Sequence, residues 1–157
     1  MSRGAESRNA RMRNYRLGLY EKSMPGSLTI GEKLGEAGMA GFDYLELSID
    51  ETDEKLARLD WSRSEILALR EAQEAAGVPI GSICLSGHRR FPLGHPDPEV
   101  QRQSLAIMEK AIRLAARLGA RIIQIAGYDV YYEASTAATA ENFERNLLLS
   151  VEMAARW

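Results

Sequence analysis

The chain has 157 residues and a formal net charge of −2 at pH 7, with 45% hydrophobic and 27% charged residues. These values are ordinary for a globular domain and argue against the strongly basic surface of a nucleic-acid-binding protein. A single cysteine, Cys84, excludes a disulfide framework, and no apolar run approaches the ~20 residues of a membrane span. We therefore expect a soluble, cytoplasmic protein with no nucleic-acid or membrane partner.

Residues 1–14 differ in composition from the rest of the chain. They contain one acidic residue, Glu6, no apolar segment, and the basic residues Arg3, Arg8, Arg11 and Arg13. This composition is not that of a secretory signal. We expect a disordered basic tail, with a folded domain over residues 15–157. An alternative is an upstream start, with Met12 as the natural first residue.

Strands and helices are predicted to alternate along the remaining chain. We expect strands at residues 16–20, 44–49, 80–85 and 121–125, and helices at about 27–37, 62–76, 96–118 and 138–156. Ser62 and Glu65 have the spacing of a capping box at the start of the second helix. The acidic residues 50–54 are predicted to be a loop. Four βα units in succession indicate a parallel sheet with right-handed crossovers.

The predicted strands have one apolar face and one face of small or polar side chains. On the second strand, Leu45, Leu47 and Ile49 alternate with Glu46 and Ser48. A doubly wound sheet, covered on both faces, has near-continuous apolar strands instead. We therefore predict an α/β fold that is the N-terminal half of a TIM (β/α)8 barrel, with the polar face lining its interior.

The length of the chain conflicts with a complete barrel of this kind. Eight βα units need about 250 residues, whereas this sequence contains four predicted units. Four units leave unpaired sheet edges. We expect either a fragment of a longer protein or a half-barrel completed by a second copy as a homodimer.

A cationic cluster, His88-Arg89-Arg90, follows the third strand, where ligands bind in parallel α/β sheets. Arginine binds phosphate or carboxylate through its planar guanidinium, and histidine can bind a sugar hydroxyl or transfer a proton. If the strand alternation continues, His88 lies on the inner face. The alternative is a solvated basic loop with the histidine bonded to a backbone carbonyl.

Other polar segments are expected at the same end of the barrel. Residues 50–54 either form ion pairs, bind sugar hydroxyls or are solvated. Glu46 is an inward carboxylate that must be paired or hydrogen-bonded. Residues 128–132, with three tyrosines, offer hydroxyls and ring faces to a carbohydrate, or pack over the barrel mouth. The only other histidine, His95, is seven residues beyond His88, so the sequence contains no local metal-ligand set.

Several of these segments resemble one known family. They are Gly18-Leu-Tyr-Glu-Lys22, Gly41-Phe-Asp-Tyr-Leu-Glu-Leu-Ser48, Asp50-Glu-Thr-Asp-Glu54, Arg58-Leu-Asp-Trp-Ser62, Cys84-Leu-Ser-Gly-His-Arg-Arg-Phe-Pro-Leu-Gly94 and Ile125-Ala-Gly-Tyr-Asp-Val-Tyr-Tyr132. Their order and spacing are similar to those of the L-ribulose-5-phosphate (L-xylulose-5-phosphate) 3-epimerases, in the xylose isomerase-like barrel superfamily. The resemblance covers residues 15–157 and only the N-terminal half of that family's barrel.

The resemblance implies inversion at C3 of a ketopentose 5-phosphate through an enediolate, in sugar-acid and pentose catabolism such as the use of L-ascorbate. It also implies a divalent metal (Mn, Zn or Mg) in the full-length family. The family's metal ligands and catalytic carboxylates lie on later strands, so we assign no catalytic or metal residue to this chain and expect it to be inactive alone. The residues implied to bind the phosphorylated ketopentose are Tyr20, Glu21, Glu46, Ser48, His88, Arg89, Tyr128, Asp129 and Tyr131.

Two other functions are compatible with the sequence. The first is a fragment similar to the hexulose-6-phosphate isomerases, which share the fold and differ in substrate. The second is a non-catalytic half-barrel that binds sugar phosphates and dimerises.

Overall fold

A computed structural model describes residues 14–157 of the chain. Four parallel strands form one sheet in the order β1-β2-β3-β4, and helices connect successive strands. The strands are β1 (Gly18–Tyr20), β2 (Tyr44–Ile49), β3 (Ile80–Leu85) and β4 (Ile122–Gln124), and the α-helices are α1 (Ile30–Met39), α2 (Asp53–Ala57), α3 (Arg63–Ala76), α4 (Pro98–Leu118) and α5 (Ala137–Ala154). The predicted βα order and parallel sheet are confirmed.

At two of the segments that differ from the prediction, side chains compete with the backbone for hydrogen bonds. β1 begins at Gly18 rather than Arg16, since the amide of Leu17 donates to the Asp43 carboxylate at 2.6 Å instead of to a strand. Residues 50–54 are not all loop. The Thr52 hydroxyl accepts from the amide of Lys55 and starts the short helix α2.

The hydrophobic core lies between the outer face of the sheet and the helices. Leu45, Leu47 and Ile49 of β2 are fully buried there, as the strand alternation predicts. α1, α3 and α4 cover this face with Leu34, Ile66, Met108, Ala111, Ile112 and Leu114. The observed apolar face of the sheet is therefore the predicted one. The opposite face carries the polar side chains of β2.

None of the helices within residues 14–157 is both long enough and apolar enough to cross a membrane. The predicted cytoplasmic location stays a prediction. The predicted basic tail lies outside the described residues except for Asn14.

Candidate functional site at the carboxyl end of the sheet

The carboxyl ends of the four strands meet at one end of the sheet, which we call the rim. It is formed by residues 20–22 after β1, 48–53 at and after β2, 86–90 after β3 and 127–132 after β4. The parallel register places these segments side by side, because each strand pairs in order with the next. The sequence predicted this grouping.

Polar side chains line the inner face of the sheet just below the rim. The Tyr20 hydroxyl donates to Oγ of Ser48 at 3.1 Å, and the Ser82 hydroxyl donates to Oε2 of Glu46 at 2.7 Å. Burial raises the pKa of Tyr20, so its phenol stays protonated and keeps the hydrogen that it donates to Ser48. The expected hydrogen bond to the inward carboxylate of Glu46 is present. These groups form a wall of hydroxyls and one carboxylate.

Above this wall, Arg89 lies among the tyrosines of the loop after β4. Its guanidinium carbon is 5.0 Å from the ring centroid of Tyr131, and the rings of Tyr128 and Tyr131 are 5.0 Å apart. Interaction with Tyr131 is the main reason that the pKa of Arg89 is raised, with Tyr128 contributing a hydrogen bond. Within residues 14–157, no ion pair involves Arg89. Its charge is therefore available to a ligand.

The acidic segment after β2 is ordered by contacts with other rim segments. Lys22 forms an ion pair with Asp50, Arg90 contacts Asp53 at 2.6 Å, and the Tyr132 hydroxyl donates to Glu51 at 2.9 Å. Burial acts to raise the pKa of Asp50, but hydrogen bonds from Lys22 and Thr52 outweigh it and lower the pKa to about 2. Of the alternatives for this segment, the structure has the ion-paired arrangement.

Glu21 was predicted to face the substrate, but its side chain is fully buried. Arg58 donates to both of its carboxylate oxygens, at 2.9 and 2.7 Å, and Lys55 donates to Oε1 at 3.0 Å. Burial acts to raise the pKa of Glu21, and the hydrogen bonds from Arg58 and Lys55 outweigh it, so that the pKa is lowered. Both carboxylate oxygens of Glu21 therefore already have protein partners. Contact between Glu21 and a substrate stays a prediction.

His88 does not lie on the inner face, contrary to the alternation argument. β3 ends at Leu85, and residues Ser86–Arg89 form a 3-10 turn, which ends the period of two. The imidazole is 4% exposed, and its Nε2 donates to the carbonyl oxygen of Ser104 in α4 at 3.2 Å. Burial lowers the pKa of His88 to about 4. The histidine is therefore neutral at pH 7 and packed toward a helix.

Asp129 is on the predicted loop, but its carboxylate is engaged within that loop and α5. It accepts hydrogen bonds from the hydroxyls of Ser135 and Thr139, which lower its pKa. Its backbone oxygen accepts from the amide of Gly94 at 3.0 Å. Asp129 thus holds residues 127–132, which we call the tyrosine loop, to the start of α5. Binding of substrate by Asp129 stays a prediction.

Three residues that shape the rim were not predicted as site residues. Lys22 is two residues beyond the end of β1, and that position was a usable signal. Ser82 lies on the polar face of β3 and bonds to Glu46. Arg58 gave no local signal, since its partner Glu21 is 37 positions away in sequence.

The residues from 14 to 157 do not fit a metal ion, because no three His, Cys, Asp or Glu side chains among them lie together as a ligand set. The rim instead offers a guanidinium, aromatic rings and hydroxyls. These groups are suited to binding a polar, anionic small molecule.

Residues 34–156 match the family model described as the xylose isomerase-like TIM barrel. The chain therefore belongs to the xylose isomerase-like TIM barrel family, which confirms the predicted superfamily and fold. Over 140 residues it is 52% identical to the L-ribulose-5-phosphate 3-epimerase UlaE of Escherichia coli O8 (strain IAI1), a match that covers 89% of this chain and 49% of that protein. The chain spans about half the length of the curated relatives that it matches.

Two solved structures of sugar epimerases share the fold. A D-psicose 3-epimerase in the presence of D-fructose has a TM-score of 0.75 and 15% identity, covering 90% of this chain and 49% of that one. The D-psicose 3-epimerase of Clostridium cellulolyticum H10 with D-tagatose has a TM-score of 0.71 and 15% identity, covering 90% of this chain and 49% of that one. The described half-barrel thus corresponds to about half of each epimerase barrel.

Proposed function

We propose that this chain is the substrate-positioning half of a ketopentose-phosphate 3-epimerase, and that its rim binds the phosphorylated ketopentose. The observation that carries the proposal is Arg89, an exposed cation beside Tyr128 and Tyr131 at the carboxyl end of the sheet. Similarity to an L-ribulose-5-phosphate 3-epimerase supports the substrate class.

The chemistry of the rim divides between the two ends of such a substrate. A phosphate dianion prefers a guanidinium or ammonium group, and the rim has Arg89 and Lys22. Sugar hydroxyls prefer short hydrogen bonds to hydroxyls and carboxylates, which the wall of Tyr20, Ser48 and Glu46 provides. Tyrosine rings also cover the apolar faces of sugars. In this proposal the chain binds the phosphorylated ketopentose and orients it.

The proton transfers at C3 are not assigned to this chain. Residues 14–157 do not form a metal site, and Glu21 and His88 are both buried and bonded to protein groups. We therefore derive no step through a metal ion here. We expect no turnover of L-ribulose 5-phosphate by the 157-residue chain with or without manganese.

Titration of the chain with L-ribulose 5-phosphate, followed by NMR, tests the proposal. We expect saturable shifts at the rim amides of residues 86–90 and 127–132, and much weaker shifts with unphosphorylated L-ribulose. The variant Arg102→Ala changes an exposed arginine on α4. It is the matched control for substitution of Arg89 and should bind normally. Absence of saturable binding by the folded chain would contradict the proposal, and preference for a hexulose 6-phosphate would favour the related isomerase.

A second candidate, a sugar-phosphate-binding half-barrel that dimerises, is favoured by one observation. Among residues 14–157, β4 pairs with β3 alone, and beside it lies a groove of about 460 Å³ lined by Met108, Ile112, Ile123, Ile125, Leu147 and Val151. The open edge of such a strand, beside an apolar groove, is a place where another chain can add. Light scattering of the purified chain tests this function: a compact dimer supports it, and a stable monomer contradicts it.

A further inference from the structure

We propose that Arg58 is a positioning residue for the rim, and that it holds the ends of β1 and β2 together through Glu21 and Ser48. The inference rests on the proposed function for its effect on ligand binding. Its structural part concerns only the geometry of these residues.

The guanidinium of Arg58 contacts two strands at once. Its Nη1 lies 2.9 and 2.7 Å from the two carboxylate oxygens of Glu21 and 3.1 Å from the backbone oxygen of Ser48. Glu21 directly follows β1, and Ser48 is near the end of β2. One buried cation therefore connects the carboxyl ends of β1 and β2.

The surroundings of Arg58 make this contact a fixed one. The arginine is 9% exposed, and its guanidinium carbon lies 5.6 Å from the ring centroid of Trp61. Lys55 adds a bond to Glu21, and the Lys33 ammonium donates to the Glu21 backbone oxygen at 3.2 Å. A buried carboxylate with so many donors has one orientation, because leaving any charge unpaired is costly.

The rim side chains on either side of these anchors are set by them. Tyr20 precedes Glu21 and bonds to Ser48, whereas Lys22 follows Glu21 and pairs with Asp50. Both cross-strand contacts depend on the same register between residues 20–22 and 48–50. Arg58 is 9% exposed, and its Nη1 is engaged by Glu21 and Ser48, so we assign its influence on a ligand to Tyr20 and Lys22.

The test compares Arg58→Met, which keeps an unbranched apolar stem, with Arg58→Lys and with Leu118→Ala. Leu118 is a buried residue at the end of α4, near the amino end of the sheet, so its truncation lowers stability without touching the rim. Two quantities are measured on each folded variant: the titration of the Asp50 carboxyl by NMR, and the affinity for L-ribulose 5-phosphate.

We expect Arg58→Met to raise the Asp50 titration midpoint from about 2 toward its ordinary value of 3.8, because the Lys22–Asp50 contact loosens. We expect its affinity for the sugar phosphate to fall about tenfold, since charge-assisted contacts are sensitive to geometry. Arg58→Lys should give intermediate values, and Leu118→Ala should change neither quantity.

If Arg58→Met does not fold, Lys55→Met replaces it, because Lys55 belongs to the same cluster and its side chain is 18% exposed. A folded Arg58→Met with an unchanged Asp50 titration would overturn the inference, as would equal changes in Leu118→Ala. If the Asp50 titration moves but the wild-type chain binds no sugar phosphate, the positioning role stands and the proposed function fails.

Discussion

The guanidinium carbon of Arg89 lies 5.0 Å from the ring centroid of Tyr131, so that a cation after β3 and an aromatic ring after β4 form one contact across two loops. Such stacking holds the guanidinium plane while its N–H groups remain available. The contact therefore orients Arg89 before a ligand arrives.

Arg89→Met is expected to weaken binding of L-ribulose 5-phosphate on the order of tenfold to a hundredfold, because hydrogen bonds to charged groups contribute about 1.5–3 kcal/mol. Arg89→Lys should bind with intermediate affinity, since it keeps the charge without the planar fork. Calorimetric titration measures both. Thermal stability should change little because Arg89 is exposed. Wild-type affinity in folded Arg89→Met would contradict the phosphate assignment.

Glu21→Gln is expected to lower the free energy of unfolding by about 3–5 kcal/mol, because it leaves Arg58 and Lys55 without their buried counter-charge. Glu54→Gln is the matched control, since Glu54 is an exposed carboxylate 3.9 Å from the same lysine. Its loss should cost less than about 0.5 kcal/mol. Urea unfolding measures both values, and equal effects of the two substitutions would contradict the ion-pair account.

His88 predicts a dependence of stability on pH. Its pKa is lowered by burial from 6.5 to about 4, so the unfolded state takes up a proton at a higher pH than the folded state. Stability is therefore lost as pH falls below 6.5, and the loss is complete below about 4. From pH 7 to pH 5 the His88 contribution should fall by about 2 kcal/mol.

Urea unfolding of wild type and His88→Gln at pH 7, 6 and 5 measures this contribution as a difference. Ser104→Ala is the control, because it keeps the backbone oxygen that accepts from His88 and removes a buried hydroxyl that has no hydrogen-bond partner among residues 14–157. It should retain the wild-type pH dependence at equal or slightly higher stability. An identical pH slope in His88→Gln would show that His88 is not the responsible group.

Gly94→Ala is expected to destabilise the chain by about 1–3 kcal/mol and to loosen the tyrosine loop. A Cβ at Gly94 would lie 2.5 Å from the backbone oxygen of Thr139 in α5 and 2.6 Å from that of Asp129, and neither oxygen can move unless its backbone segment moves. Gly26→Ala, where a Cβ meets nothing within 4 Å, is the control. Hydrogen exchange at residues 129–132 should be faster in Gly94→Ala only; unchanged exchange would contradict the anchoring role.

The sequence predicted the fold well because strand alternation and helix caps are local signals. Leu45, Leu47 and Ile49 are buried where the alternation requires, and the capping box of Ser62 and Glu65 is present. It also grouped the rim correctly, since parallel strands end together.

The same reasoning was wrong about the inner-face position of His88 for a physical reason. An alternation of two holds only while the backbone is extended, and the turn at Ser86–Arg89 redirects every side chain after Leu85. Glu21 was interpreted as accessible because its partner, Arg58, is distant in sequence and meets it only in the folded chain. Contacts of this kind have no local pattern.

The hydrogen bond from Tyr132 to Glu51 joins residues 81 positions apart in the sequence. Such a contact closes a long loop, whose entropic cost is recovered only when the intervening β-strands and helices are already in place. The contact at the rim between the segments after β2 and β4 should accordingly be among the last to form during folding. Protection of the amides near Tyr132 from hydrogen exchange would then indicate that all four strands have assembled.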